Sequence, residues 1–189
     1  MAATTAATAQ EDTPDAGRMV TTARMVAVGA TDILDTYLSQ EKYKGTEVRY
    51  MSHSLSTKPG SNLSRLIIHQ GMAAFADNRS GNGGEMEGMY NFQYGWLYNW
   101  RLYGGRLRVT AGATADATAG FLYNTHGSNN PAQARLNINI TPTASAAYTL
   151  RWGNTPLTIS YELAMPLAGM MFSPNYGQSY YEIFSRGNY

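Results

Sequence analysis

Long stretches of this chain alternate apolar and polar residues almost without interruption. Residues 107–121 place Leu107, Val109, five alanines and Phe121 on one face, and residues 134–152 continue the pattern over 19 positions. A two-residue period indicates a β-strand, because successive side chains point to opposite sides of a sheet. Ordinary strands need about five or six residues, and a tilted membrane-spanning strand needs about nine to eleven. The pattern therefore predicts an all-β fold, an antiparallel up-and-down transmembrane β-barrel with an apolar exterior and a polar interior.

The composition agrees with this prediction and excludes several other classes. Charged residues make up 14% of the chain and aromatic residues 12%, whereas soluble domains carry about 25% charged residues. No stretch has the roughly 18 consecutive apolar residues of a membrane helix. The net charge is +1 without a basic cluster, which argues against nucleic acid as a partner. Cysteine is absent, which removes disulfides, thiolate catalysis and cysteine-ligated zinc.

The N-terminus differs in composition from the rest of the chain. We predict a disordered leader or linker over residues 1–17 and a β-barrel domain over residues 18–189. Small residues at 6–9 precede Gln10, Glu11 and Asp12, as at the end of a secretory leader, so we expect that a signal peptide has been removed. A flexible cytosolic leader is the alternative.

The alternation and the turn signals divide the domain into about eight strands. Seven are predicted at residues 19–29, 48–54, 63–75, 86–102, 107–121, 134–152 and 157–172, with an irregular segment at 31–45. Short turns at 103–106 and 153–156 alternate with longer loops at 77–84, 124–131 and 173–178, as in outer-membrane barrels with short periplasmic turns. Either residues 179–189 supply an eighth strand that closes the barrel, or further strands lie beyond a truncated C-terminus; the poor strand former Arg186-Gly187-Asn188 favours truncation.

Aromatic residues cluster at the predicted strand ends. Trp100, Tyr103 and Trp152 flank the short turns, and Phe121 and Phe172 flank the long loops. Aromatic side chains favour the membrane interface, where the ring is half buried and its polar atom stays hydrated. We interpret the five as membrane-interface aromatics; the alternative is the core of a soluble sandwich.

Charged residues fall on the polar faces of the predicted strands. The candidate lumen-lining residues are Arg108, Asp116, Arg135, Arg151 and Glu162. We expect them to pair with one another across a filled lumen, because side chains fill the interior of small barrels. The alternative is that they set the ion selectivity of a small pore, and conductance would separate the two.

Three segments resemble a family of Bacteroidota outer-membrane barrels that is known only as a domain of unknown function. The most specific is the run YGQSYYEIF, from Tyr176 to Phe184; the others lie at residues 32–43 and 124–134. The resemblance spans residues 19–189. It implies a signal peptide and a location in the outer membrane of a Gram-negative bacterium, and it implies no activity.

Few residues suggest chemistry. The His-x-Ser pair of barrel lipid A deacylases is similar to His126 and Ser128 of this chain. These two residues lie among glycine and asparagine, however, without an acid nearby. Gln178, Tyr180, Tyr181 and Glu182 could bind a sugar, although a packed tail is favoured. His53 and His69 lack metal-ligand spacing, so neither a metal nor a cofactor is predicted.

We therefore expect a non-enzymatic protein of the bacterial outer membrane with a structural, surface-interaction or accessory role. Its partners are expected to be outer-membrane lipid and, during biogenesis, the barrel-insertion machinery. The alternatives are a small pore, a lipid-active barrel enzyme that uses His126 and Ser128, and a soluble lipocalin-like barrel with its apolar faces inside.

Overall fold

The computed structural model describes residues 4–15, 17–35, 42–127, 131–153, 155–172 and 180–186. Nearly all of these residues lie in β-strands, which confirms the all-β prediction. The strands are β1 (Thr4–Asp15), β2 (Arg18–Leu34), β3 (Lys42–Thr57), β4 (Leu63–Asp77), β5 (Gly84–Leu102), β6 (Leu107–Asn124), β7 (Ala132–Trp152), β8 (Thr155–Ala164) and β9 (Ala168–Phe172). A 3₁₀ turn at Tyr103–Gly105 and a helix, α1, at Tyr180–Arg186 complete the described part. Among the described residues, no helix has the length and apolar character required to cross a bilayer.

The strands form one antiparallel sheet whose order, β1 to β8, follows the chain. The up-and-down topology is therefore confirmed. β8 and β9 both pair with β7, with Ala164 opposite Thr143 and Ala168 opposite Ile140. They act as one strand that is interrupted at Pro166, which has no backbone N–H to donate to the sheet. The predicted strand over residues 157–172 thus exists with an irregularity near its middle.

Three segments differ from the predictions. β2 continues through Thr31 to Leu34, in the segment predicted to be irregular, because these residues pair with the start of β3. β1 pairs with β2 where a leader or linker was predicted; the division of the chain at residues 17 and 18 stays a prediction. Of the two alternatives for the tail, a closing strand is not found in the described part, because Tyr180–Arg186 is helical.

The sheet is rolled, although its two outer strands are not paired with each other in the described part of the chain. Gln133 Nε2 donates to Asp35 Oδ1 at 2.6 Å, and Arg135 donates to the Leu34 carbonyl at 3.2 Å. These bonds join β7 to the end of β2, although four strands separate them in the sheet. One face is therefore turned inward, and we call it the inner face and the opposite one the outer face.

The hairpins are staggered along the strands. Ser64, at the start of β4, lies opposite Leu97, so β5 runs on to Leu102 past the preceding turn. Leu107, at the start of β6, lies opposite Tyr148, so β7 extends further in the same direction to Trp152. A regular stagger of this kind is what tilted strands in a barrel require.

The inner face carries most of the buried residues. Two apolar clusters occupy it on β2–β6: Ile33, Tyr43, Met72, Ala74, Ala76 and Leu122 form the first, and Leu66, Ile68 and Leu97 the second. Buried polar residues fill the remainder, among them Glu85, Asn99, Thr110, Thr114, Asp116, Asn124, Gln133, Thr141 and Thr143.

The outer face is mainly apolar and exposed. Its exposed large side chains include Val26, Val28, Val48, Tyr50, Tyr90, Trp96, Tyr98, Trp100, Phe121, Leu136, Ile138, Ile140, Tyr148, Leu150, Ile159 and Leu163. β2 and β3 are mixed: near the turn at residues 58–62 their outer face carries Arg24 and the pair Thr22 and Ser54, whose hydroxyl oxygens lie 3.0 Å apart. The apolar surface is thus continuous over β5–β8. On β2 and β3 it begins at a greater distance from the turn at residues 58–62.

Candidate functional site

All five predicted lumen-lining residues lie on the inner face. Their strand partners identify the face, since each is opposite another inner-face residue: Arg108 faces Ala147, Asp116 faces Asn139, and Arg135 faces Gly120. Arg151 faces Pro156 and Glu162 faces Ser145. The alternation in the sequence therefore places these five residues on one side of the sheet, and their role as lumen lining stays a prediction.

Asp116 is the centre of a hydrogen-bond network whose donors are neutral side chains. Its carboxylate accepts from Thr141 Oγ1 at 2.5 Å and from Asn139 Nδ2 at 3.1 Å. Asn139 also donates to Asn137 Oδ1 at 3.0 Å, and Asp116 is only 6% exposed. Because a buried carboxylate is costly unless it is hydrogen-bonded, these donors are what allows Asp116 to be enclosed.

Arg135 is the predicted lumen residue that forms an ion pair. Its guanidinium lies 3.4 Å from Glu87 Oε1, on the inner face of the two strands, β7 and β5, that flank β6. A second pair joins Arg49 to Glu47 at 3.1 Å along β3. Both pairs lie in the half of the inner face that is nearer to the long loops.

Arginines collect at the short-turn end of the inner face. Arg101 and Arg108 lie opposite each other on β5 and β6, and both line a cavity of about 230 Å³. Arg108, Arg151 and Glu162 are exposed, and in the described part of the chain none of them has a carboxylate or cation within ion-pair distance. Arg135 thus pairs with Glu87, which is not one of the five, and the expected pairing of the five residues with one another stays a prediction.

A buried acidic cluster lies at the opposite, long-loop end. Glu85 Oε1 accepts from Asn124 Nδ2 at 2.7 Å, and the same amide is 3.3 Å from the Tyr43 hydroxyl. Asp35, which accepts from Gln133, lies within hydrogen-bonding range of Glu85. Sequence reasoning missed this cluster because its members come from five strands or strand ends and share no local motif.

The predicted interface aromatics fall largely on the exposed outer surface. Trp100 is 43% exposed and packs on Tyr98, with ring centroids 4.8 Å apart. Tyr103 is exposed in the short turn, where it adopts φ 52. Phe121 is exposed near the long loops, and Phe172 packs on Phe184 of α1. The side chain of Trp152 lies outside the described residues.

The catalytic candidates are only partly described. His126 is exposed, and its Nδ1 lies 3.0 Å from Thr125 Oγ1. Ser128 and Gln178 lie outside the described residues, as do the side chains of Tyr180, Tyr181 and Glu182.

The other two histidines lie within strands of the sheet, where a structural role is sufficient to explain them. His69 Nδ1 lies 2.6 Å from the Tyr90 hydroxyl on the outer face, and His53 lies on β3 opposite Ile68. No group of three His, Cys, Asp or Glu residues in the described ranges is arranged to hold a metal ion.

These features define an all-β protein built from one rolled, antiparallel up-and-down sheet that encloses a polar face. The chain belongs to the family described as protein of unknown function DUF3316, whose model matches residues 1–189. This confirms the predicted membership of a family of unknown function; the association with Bacteroidota stays a prediction. Neither the curated proteins nor the solved structures contain a significant match.

Proposed function

We propose that the chain is a β-barrel of the bacterial outer membrane, with a structural, surface-interaction or accessory role and no catalysis. The observation that carries the proposal is the orientation of the sheet: most of the exposed large apolar side chains lie on the outer face, and most of the buried polar side chains lie on the inner face. A soluble lipocalin-like barrel would have the reverse arrangement. An exposed apolar surface of this extent is unfavourable in water and is what a barrel presents to lipid.

The strands and their ends support the same proposal. β7 has 21 residues, about twice the number that a tilted membrane-spanning strand needs, and the stagger of the hairpins matches tilted strands. Trp100 and Tyr103 lie beside a short turn, where aromatic side chains suit the periplasmic interface. In lipid, each unpaired backbone group costs several kcal/mol, so the proposal requires that the edges of β1 and β8 be paired in the membrane.

The filled inner face favours an accessory role over that of a pore. Two apolar clusters and a network around Asp116 occupy positions that an aqueous channel would need. His126 contacts the neighbouring hydroxyl of Thr125 and is not oriented by an acid in the described residues, which disfavours a lipid A deacylase mechanism. The proposed partners are outer-membrane lipid and the barrel-insertion machinery.

A pair of single-cysteine variants tests the orientation directly. The chain has no cysteine, so Ala117→Cys and Thr118→Cys can each carry one environment-sensitive fluorophore. The two residues are neighbours on β6, Ala117 on the outer face and Thr118 on the inner face, where it accepts from Asn91. After refolding into phosphatidylcholine vesicles, we expect lipids brominated on their acyl chains to quench the label at position 117 and not the label at 118.

The two positions control for each other, because their depth along the strand is nearly the same. Far-UV circular dichroism establishes that both labelled variants keep the β-sheet content of the unmodified chain. Equal quenching at both positions would contradict the proposal. A chain that stays monodisperse in buffer without detergent would contradict it as well.

A further inference from the structure

A basic cavity lies at the long-loop end of β3 and β4. It has a volume of about 710 Å³ and is lined by Lys42, Lys44, Asp77, Asn78 and Arg79. The two lysines are at the start of β3, the aspartate ends β4, and the other two residues belong to the loop that follows β4. The lining thus carries three positive charges and one negative charge, which favours an anionic occupant.

Strand neighbours determine where the excess positive charge lies. Lys44 is opposite Asp32 on β2 and Asp77 on β4, so acidic side chains flank it in the sheet. The strand partner of Lys42 is a leucine, and Arg79 lies beyond the end of β4. In the described part of the chain, neither of these two cations has a carboxylate within ion-pair distance. Lys42 and Arg79 therefore provide the positive charge that an anion would bind.

The cavity adjoins the edge of the apolar surface. On the outer face of β3, the exposed Tyr50 and Val48 are followed towards the long loops by Thr46 and then by the two lysines. Phe75 of β4, which is 64% exposed, lies opposite Thr46. The outer face thus changes from apolar side chains to an aromatic ring and then to cations. A membrane protein shows this order where the hydrocarbon meets the lipid headgroups.

Internal hydrogen bonds hold the loop that carries Arg79. Asn78 Oδ1 accepts from the backbone N–H groups of Asn82 and Gly83 at 3.1 and 3.2 Å, and Asn78 Nδ2 donates to Asn82 Oδ1 at 2.9 Å. The backbone N–H of Asn78 also donates to the Gly83 carbonyl at 2.8 Å. Because these bonds fix the backbone on both sides of Arg79, a ligand needs to order only its side chain, which lowers the entropic cost of binding.

We propose that this cavity binds a phosphate group of a glycolipid of the lipid A type, with Lys42 and Arg79 as the main contacts. The proposal rests on the outer-membrane location proposed above, which places the long-loop end of the sheet at the outer leaflet. Phosphorylated glycolipid supplies the anions at that level. A lysine attracts phosphate as a point charge, and an arginine can donate two parallel hydrogen bonds to it. The contact is non-covalent and would hold one lipid at a defined position on the barrel surface.

Binding of defined lipids to the full chain in detergent micelles tests the site. Native mass spectrometry measures the Kd of lipid A with both phosphates and of the same glycolipid without phosphates, in buffer that contains no divalent cation. We expect the phosphate-free form to bind about tenfold more weakly or worse. Equal Kd values would overturn the proposal. Displacement of lipid A by an equal concentration of inorganic phosphate would overturn it too, because it would indicate a site for the free anion.

The decisive variant combines Lys42→Gln with Arg79→Gln and so removes the two unbalanced cations. The matched control combines Lys58→Gln with Arg106→Gln, because it removes the same charge from exposed positions in the short turns. The first variant should raise the Kd for lipid A about 30-fold, since each cation near an anionic lipid surface contributes roughly a factor of five. The control should bind like the wild type, and equal Kd values for the two variants would overturn the proposal. If the first variant does not fold, Lys42→Gln alone is compared with Lys58→Gln alone.

The label at position 117 separates failure of this proposal from failure of the membrane assignment. Quenching of that label by brominated lipids reports insertion into the bilayer and does not involve the cavity. A chain that inserts but shows no preference for the phosphorylated glycolipid would overturn only the glycolipid site. A chain whose label is not quenched would overturn both proposals.

Discussion

The carboxylate of Asp116 offers a quantitative test of how the inner face is held together. It accepts one hydrogen bond from Thr141 Oγ1 and one from Asn139 Nδ2, and it is buried. The hydroxyl and the amide come from β7, whereas Asp116 is on β6. If the network stabilises the fold, deletion of the carboxylate and deletion of the hydroxyl must have non-additive effects on the free energy of unfolding.

The expected magnitudes follow from the number of bonds. A hydrogen bond to a charged group contributes about 1.5–3 kcal/mol. Asp116→Ala removes two and leaves the buried Thr141 hydroxyl and one N–H of the half-buried Asn139 amide without an acceptor, so we expect a loss of about 3–5 kcal/mol in the free energy of unfolding. Thr141→Val removes one bond and should cost about 1.5–3 kcal/mol. In the double variant the shared bond is counted once, which gives a coupling energy of about 1.5–3 kcal/mol.

Equilibrium urea unfolding, followed by tryptophan fluorescence, gives the free energy of unfolding of the refolded wild type, of the two single variants and of the double variant. These four proteins form a double-mutant cycle. Glu162→Gln serves as the control, because Glu162 is an exposed inner-face carboxylate on β8; it should change the free energy of unfolding by less than about 0.5 kcal/mol, as is usual for an exposed site. A coupling energy below about 0.5 kcal/mol would refute the reasoning. So would an Asp116→Ala variant within about 1 kcal/mol of the wild type.

Two further predictions concern other contacts of the sheet. Gly112→Ala should destabilise the chain by about 1–3 kcal/mol by overpacking, because a Cβ at this position would lie 2.0 Å from the backbone oxygen of Trp96. Gly71→Ala, whose Cβ meets nothing within 4 Å, should not, and an equal effect of both in thermal unfolding would refute the steric argument. Arg135→Ala should cost about 1–3 kcal/mol, because it leaves the Glu87 carboxylate, only 12% exposed, without its cation. Adding Glu87→Gln should recover part of that loss in urea unfolding, and a double variant less stable than Arg135→Ala would contradict this.

The strands could be predicted from the sequence because alternation is a local property. The predicted strands at residues 107–121 and 134–152 correspond to β6 and β7 with ends shifted by three residues or fewer. The continuation of β2 to Leu34 could not be found in this way, since it depends on pairing with β3. In the tail, the spacing of Glu182 and Arg186 by four residues and the following Gly187 are typical of a short helix and its end. That local signal was available, and the alternative of a closing strand in the tail overlooked it.

The inner-face residues illustrate a different limit of prediction from the sequence. The face of Asp116 follows from the two-residue period, so its side of the sheet was predictable. The contact between Gln133 and Asp35 joins residues 98 positions apart, and it exists only because the sheet rolls until β7 reaches the end of β2. Periodicity along one strand contains no information about curvature across several strands. The buried acidic cluster could therefore not be predicted from the sequence.

The charges of the inner face are separated along the strands, and burial decides how the groups at each end are stabilised. Arg101 and Arg108 at the short-turn end are exposed, so water screens their repulsion, which at 4 Å amounts to about 1 kcal/mol in a high dielectric. Asp35 and Glu85 at the other end are almost completely buried, where a polar group is costly unless it is hydrogen-bonded. The Gln133 amide donates to Asp35 and the Asn124 amide donates to Glu85. The short-turn end therefore relies on water, whereas the long-loop end relies on hydrogen bonds between strands that only the rolling of the sheet brings together.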